Sequence, residues 1–166
     1  MAVDAEAEFS EWLYGHRTRL LRSALLLTGD RALADDLVQE ASIKVAQRWG
    51  QLRTQQPLAY ARQIIYRDHV SWWRRRRETP TPEIGDRAGA EADPAHRTVV
   101  LAALAVLPRG QRAVVVLRYF EDLTERQTAE VLGIAIGTVK SQAHDALRTL
   151  RAMPGLLDLI GEESTQ

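Results

Sequence analysis

The stretch from Leu107 to Arg151 constrains this chain more than any other. Thr124 is placed to cap a helix, and Gln127, three residues on, completes a capping box, Thr-Glu-Arg-Gln. The helix so opened runs to Leu132, and Gly133 supplies a tight turn, where a left-handed backbone costs glycine least. A second helix follows over Gly137–Arg151, with Val139, Ala143, Ala146, Leu147 and Leu150 at helical spacing along one face. Ala129 is small enough to let the helices cross closely, and Ile136 and Val139 are expected to plug the gap between them. Counted from Glu125, small, glycine and branched residues fall at the fifth, ninth and fifteenth places (Ala129, Gly133, Val139). This is a helix-turn-helix.

The other faces of its second helix carry Thr138, Lys140, Ser141, Gln142, His144 and Arg148. Such groups bond base edges and phosphates, and a helix so equipped fits a major groove. The implied activity is DNA reading. The glycine-bearing Gly137-Thr138-Val139-Lys140-Ser141 lacks the Gly-Lys pair and the preceding strand of a phosphate loop.

Charge argues against a self-sufficient DNA binder. The 166 residues hold 22 basic and 22 acidic groups, so the net charge is zero. The distribution is uneven, however. Residues 51–77 carry seven arginines (Arg53, Arg62, Arg67, Arg74, Arg75, Arg76, Arg77) and one acid, Asp68. Residues 78–97 carry five acids against Arg87 and Arg97. Only local patches attract phosphate, so free binding is expected to be weak and salt-sensitive. With no cysteine, disulfides, thiolate zinc sites and cysteine nucleophiles are excluded. His16, His69, His96 and His144 are scattered, without zinc-like spacing. No metal, cofactor or enzymatic chemistry is expected. With no run of membrane length and no signal-like start, a soluble cytoplasmic protein is expected.

Upstream, the pattern predicts a first helix over Glu8–Leu27 after a frayed start at residues 1–7, ended by Thr28-Gly29-Asp30. A second helix is predicted over Arg31–Trp49, with Asp35 and Asp36 in early turns that favour acids. A polar loop, Gly50–Gln56, leads to Pro57, which opens a third helix reaching Arg77. Trp72 fits that helix's buried side. Trp73, Arg74, Arg75, Arg76 and Arg77, with Tyr60 and Tyr66 on the same helix, form a basic-aromatic patch suited to unpaired bases. Residues 78–97, rich in Pro and Gly, read as a mobile linker. Further helices are predicted at Thr98–Leu107, broken by Pro108-Arg109-Gly110, and at Gln111–Tyr119, where Val114-Val115-Val116-Leu117 also has strand propensity. A short acidic tail, 152–166, closes the chain. The fold class expected is all-α, two small helical domains on a flexible tether: 8–77, a linker at 78–97, and 98–153.

Three groups of residues together carry a resemblance. Leu26-Leu27-Thr28-Gly29-Asp30, Ala34-Asp35-Asp36-Leu37-Val38-Gln39-Glu40 and Ser71-Trp72-Trp73-Arg74-Arg75 resemble region two of bacterial sigma factors. The segment Leu107-Pro108-Arg109-Gly110-Gln111-Arg112 through Leu123 resembles the start of region four, and Gly137–Ser141 its recognition-helix entry. Order, linker and size resemble the extracytoplasmic-function (group four) sigma factors of the sigma-70 superfamily, in particular a short actinobacterial, SigE-like subfamily.

The resemblance implies a protein that binds core RNA polymerase and directs it to promoter DNA. It places Asp35, Asp36, Gln39 and Glu40 against the clamp helices of the largest polymerase subunit. It places Arg48 to Arg77, including Arg53, Tyr60, Arg67, Trp73 and Arg74–Arg77, at the minus-ten element. The second helix of the helix-turn-helix, with Thr138, Lys140, Ser141, Gln142, His144, Asp145 and Arg148, falls at the minus-thirty-five element, near the polymerase flap. An anti-sigma factor is a further partner the resemblance allows, and the free chain is expected to be monomeric and off the membrane. Asp145 stands where many relatives carry a basic residue, and Gln142 where arginine is common. The alternative is an ordinary helix-turn-helix regulator binding operator DNA without polymerase. It accounts for 98–151 but leaves Asp35–Glu40, the Trp-Arg helix and the linker unexplained. A third reading, a protein-interaction module that no longer reads DNA, rests on Asp145 alone.

Overall fold

The first helix break is set by three consecutive residues. Thr28 turns its hydroxyl back onto the Ala24 carbonyl at 2.9 Å, Gly29 takes the left-handed φ of 69°, and its N–H reaches the Leu25 carbonyl. The Asp30 carboxylate then accepts the Leu33 N–H at 3.1 Å and caps the next helix. A computed structural model describes residues 2–78 and 96–155, with side chains over 4–71 and 99–155. Its elements are all helical among the described residues, and the chain divides into two units, Met1–Gly89 and Ala90–Gln166.

The first unit is built from α1 (Ala2–Thr28), α2 (Arg31–Gln47), a single turn α3 (Trp49–Leu52) and α4 (Pro57–Glu78). Leu20, Ala24 and Leu27 of α1, Ala34, Val38, Ala41 and Val45 of α2, and Ala61, Ile65 and Tyr66 of α4 are almost wholly buried against one another. In α1 and α2 these fall three or four residues apart, and in α4 Tyr66 widens the stripe beside Ile65, so one apolar stripe per helix closes a three-helix core.

The fold corrects three expectations in this unit. The start is not frayed, because α1 begins at Ala2. Phe9 and Trp12 each pack their rings 5.4 Å from that of Trp49, and Glu8 accepts from Trp49 Nε1 and from Arg53. That cluster anchors α1 from Glu8 onward. Trp49 is buried, but it opens α3 rather than ending α2, since Arg48 leaves helical geometry at φ −114°, ψ 13°. The expected loop at 50–56 is therefore helical as far as Leu52.

The second unit comprises α5 (His96–Val106), α6 (Arg109–Val115) with a π-helical continuation Val116–Phe120, α7 (Glu125–Leu132) and α8 (Ile136–Arg151). Pro108 caps α6, so the helix resumes at Arg109, earlier than the Pro-Arg-Gly break suggests. Arg112 donates to the Leu104 and Ala105 carbonyls at the end of α5, the first of which also accepts the Leu107 N–H. Ala113 through Leu117 are five consecutive buried residues. A helix buried on every side reads locally like a strand, which is why Val114–Leu117 is ambiguous in sequence and helical in the fold. The helix then widens. Glu121 N–H reaches the Val116 carbonyl, Arg118 Nη1 donates to the Leu123 carbonyl, and Asp122 takes a positive φ of 53°.

The helix-turn-helix forms as the spacing predicts. Thr124 Oγ1 accepts from Gln127 N–H at 3.1 Å while Gln127 Oε1 accepts from Thr124 N–H at 2.9 Å. Gly133 sits at φ 65°. Ala129, Leu132, Val139 and Ala146 are buried between the helices. Ile136 is not the plug expected of it. It opens α8 and is 39% exposed, so of the two residues expected to plug the gap only Val139 is buried there.

Candidate functional site

On α8 the exposed residues recur at 137, 140, 141, 144, 148 and 151, one continuous face. Lys140, Ser141, His144 and Arg148 lie on it, with Thr138 exposed beside them. The apolar residues behind are graded, with Val139 and Ala146 buried and Ala143, Leu147 and Leu150 half-buried. Two cations of this face are already engaged. Arg148 Nη2 lies 3.2 Å from Asp145 Oδ1, and Lys140 Nζ lies 3.7 Å from Glu125 Oε2 at the start of α7. Exposed pairs of this kind hold by less than about 1 kcal/mol, so phosphate displaces them readily. Ser141 spends its proton on the Gly137 carbonyl, which leaves its oxygen as an acceptor.

Gln142 departs from the expected reading face. Its side-chain amide lies over Gly110 of α6, 3.0–3.4 Å from where a Cβ at that position would stand, and its Oε1 is buried without a hydrogen-bond partner. In this state it packs the α6–α8 contact. A second feature that the sequence pattern does not reveal is a cleft lined by Arg118, Thr124, Glu125, Arg126 and Ile136, where the π turn meets the starts of α7 and α8.

On α2, Asp36, Gln39 and Glu40 are exposed at i, i+3, i+4, so they share one side, which Ile43, 45% exposed, extends by a turn. Asp35 is set apart from them. Arg17 Nη2 of α1 lies 3.3 Å from its Oδ1, and Arg31 Nε lies 3.1 Å from its Oδ2, so it ties α1 to α2. Neither aspartate falls in the first turn of α2, and the dipole-facing acid is the cap, Asp30. Glu40 stands 3.5 Å from Lys44, whose Nζ also donates to Asp68 Oδ2 on α4 at 2.8 Å. The hydrogen bond to Asp68 holds the Lys44 ammonium above the ordinary lysine pKa, with the Glu40 charge adding to it and burial opposing it.

The basic-aromatic patch on α4 is partly self-occupied. Tyr60 is half-buried, with the Arg48 guanidinium 5.4 Å from its ring centre and hydrogen-bonded to its hydroxyl. Arg53 pairs with Glu8 at 3.1 Å. Arg67 is exposed. Tyr66 is 1% exposed and belongs to the core, so it offers no ring to a base. The side chains of Trp72, Trp73 and Arg74–Arg77 lie outside the described residues, although the backbone there is helical through Glu78. The linker expectation falls almost wholly outside them too. Among the described residues no group of His, Asp and Glu is clustered to hold a metal ion, and no helix is long and apolar enough to cross a membrane.

Residues 8–79 match the family model for sigma-70 region 2, and residues 97–150 that for sigma-70 region 4. Over 156 residues the chain is 36% identical to the RNA polymerase sigma-E factor of Streptomyces avermitilis, covering 91% of this chain and 87% of that protein. It is 36% identical over 164 residues to the extracytoplasmic-function RNA polymerase sigma factor SigL of Mycobacterium tuberculosis, covering 90% and 91%. In fold it is similar to the sigma factor RpoE of Bartonella quintana, co-crystallised with the anti-sigma factor NepR. The TM-score is 0.63 at 23% identity, over 90% of this chain and 96% of that one.

Proposed function

This chain belongs to the extracytoplasmic-function sigma factors of the sigma-70 family, and we propose a specific division of that work among its surfaces. As an RNA polymerase sigma factor it binds core enzyme and directs it to promoters. In our reading, residues 8–77 dock on polymerase and engage the minus-ten element, 78–97 connect, and 98–153 read the minus-thirty-five element. Asp36, Gln39 and Glu40 form the docking face towards the clamp helices. Arg53, Tyr60, Arg67, Trp73 and Arg74–Arg77 face the minus-ten DNA, and Thr138, Lys140, Ser141, His144 and Arg148 face the upstream element. An anti-sigma partner, a cytoplasmic location and a monomeric free state belong to the same proposal, as does the absence of any enzymatic step.

The observation that carries this reading is the pairing of the α8 face with the separate acidic face of α2 in a chain of zero net charge. With no net charge the chain attracts phosphate only at local patches, so it holds DNA weakly by itself. Polymerase supplies the missing affinity by tethering each unit near its own element, which raises the effective concentration of both.

The test is capture of purified core polymerase followed by transcription from a pool of genomic fragments. Stoichiometric binding with new, specific transcripts is the expected result. Specific retention of operator DNA by the chain alone, with no core binding, would make it an ordinary regulator.

Two substitutions probe the α8 face. Arg148→Ala is expected to weaken upstream-element binding on all sequences alike and to lower the slope of log K against log salt by about one. An unchanged slope removes the phosphate contact. Asp145→Asn is expected to do the opposite, because it frees Arg148 and removes a like charge facing phosphate. A loss confined to one base pair would instead make Asp145 a base reader, with its carboxylate accepting from a cytosine amino group.

A further inference from the structure

Lys44 stands between the two surfaces assigned to the first unit. Its ammonium touches Glu40, on the exposed face of α2, and Asp68 of α4, the neighbour of the exposed Arg67. The contact with Asp68 spans 24 residues of sequence and is the shorter of the two, 2.8 Å against 3.5 Å. Along the rest of α2 and α4 the buried side chains are apolar, such as Ala41, Val45, Ala61 and Ile65, and a second polar tie, Arg48 to the Tyr60 hydroxyl, lies at the C-terminal end of α2.

We propose that Lys44 is a positioning residue that couples polymerase docking on α2 to promoter engagement by α4. The inference rests on the docking role given above to Glu40. In the free protein two carboxylates share one ammonium, and each weakens the other's hold on it. A basic group of polymerase that takes Glu40 withdraws it from Lys44. The ammonium then belongs to Asp68 alone, and α4 is fixed against α2 at the residue beside Arg67. Docking thereby stiffens the helix that meets the minus-ten strand. The proposal requires a second arrangement in which Lys44 serves Asp68 alone, and docking biases the contact towards it, which is what a coupling mechanism requires. The groups are half exposed, so the coupling sits at the low end of the usual range, about fivefold.

The experiment uses the full chain with core polymerase and a promoter fragment recovered from the transcription pool. Core affinity and open-complex formation, the latter by permanganate reactivity of unpaired thymines, are measured for Lys44→Met, Lys44→Arg, Asp68→Asn and the double variant Lys44→Met/Asp68→Asn. Lys44→Met is expected to lower open-complex formation about fivefold with core affinity within about twofold of the parent. Lys44→Arg restores it, Asp68→Asn matches the loss, and the double variant is no worse than either single one. Open complexes at the parent level, additive losses in the double variant, core affinity falling in step with opening, or a loss that follows a lowered melting temperature would each overturn the coupling. If the unsubstituted chain fails to bind core enzyme, the functional reading falls first and the inference with it.

Discussion

Leu117→Ala is expected to dismantle the second unit and abolish upstream-element recognition while leaving the first unit folded. Leu117 has no exposed surface, and it sits where α6 widens into its π turn, with its carbonyl accepting the Leu123 N–H at 3.0 Å. Truncating a fully buried leucine costs about 2–5 kcal/mol, the transfer loss plus the cavity left behind. A helical unit of roughly 60 residues has only about 3–9 kcal/mol in total. The substitution therefore removes about a fifth or more of what holds the unit together, and its melting temperature should fall by about 10–30 °C. The recognition helix goes with it, because Val139 and Ala146 are buried in the core that α6 and α7 share with α8. Hydrogen exchange across the whole chain checks this, with protection lost over 99–155 and kept over 4–71. A melting temperature within about 3 °C of the parent would mean that the widened helix yields and refills the space.

The residues that predict themselves are those whose job is done within one turn. Thr124 and Gln127 cap each other three residues apart, and Gly133 and Gly29 take the left-handed turns their positions require, so each is visible in the sequence alone. Core stripes are equally legible where helices keep a regular period. Legibility fails where the period breaks or where the partner is remote. A π insertion at Val116–Phe120 shifts the facing of the residues after it, and nothing in the 3.6-residue rhythm announces it. Ile136 looks like core by type, yet the start of α8 leaves it at the surface. Gln142 looks like a reader by type, yet Gly110, 32 positions earlier, leaves room for it to fold back. The sequence marks Arg53, Asp35 and Arg148 as charges for a partner. Only the fold reveals Glu8, Arg17 with Arg31, and Asp145 as their present occupants.

These internal ion pairs decide how the docking surface should be tested. Asp35→Ala would break two ion pairs that bind α1 to α2 and α2 to itself, so a weakened complex would say little about contact. Asp36, Gln39 and Glu40 carry no such burden. They are exposed on one side of α2, and Glu40 shares Lys44 only at 3.5 Å. The combined variant Asp36→Ala/Gln39→Ala/Glu40→Ala is expected to lower affinity for core polymerase about a hundredfold, roughly 3 kcal/mol, while the melting temperature moves by little, since exposed substitutions stay within about 0.5 kcal/mol each. Ile43 extends the expectation: an exposed isoleucine is ordinary alone, but one turn beyond three polar residues it adds an apolar contact at the edge of the proposed interface. The loss should therefore appear mainly in dissociation if the carboxylates are buried on docking. It should appear in association, with a steep salt dependence, if they only steer. Undiminished core affinity in the triple variant, measured by kinetics at two salt concentrations, would move the docking surface off α2 altogether.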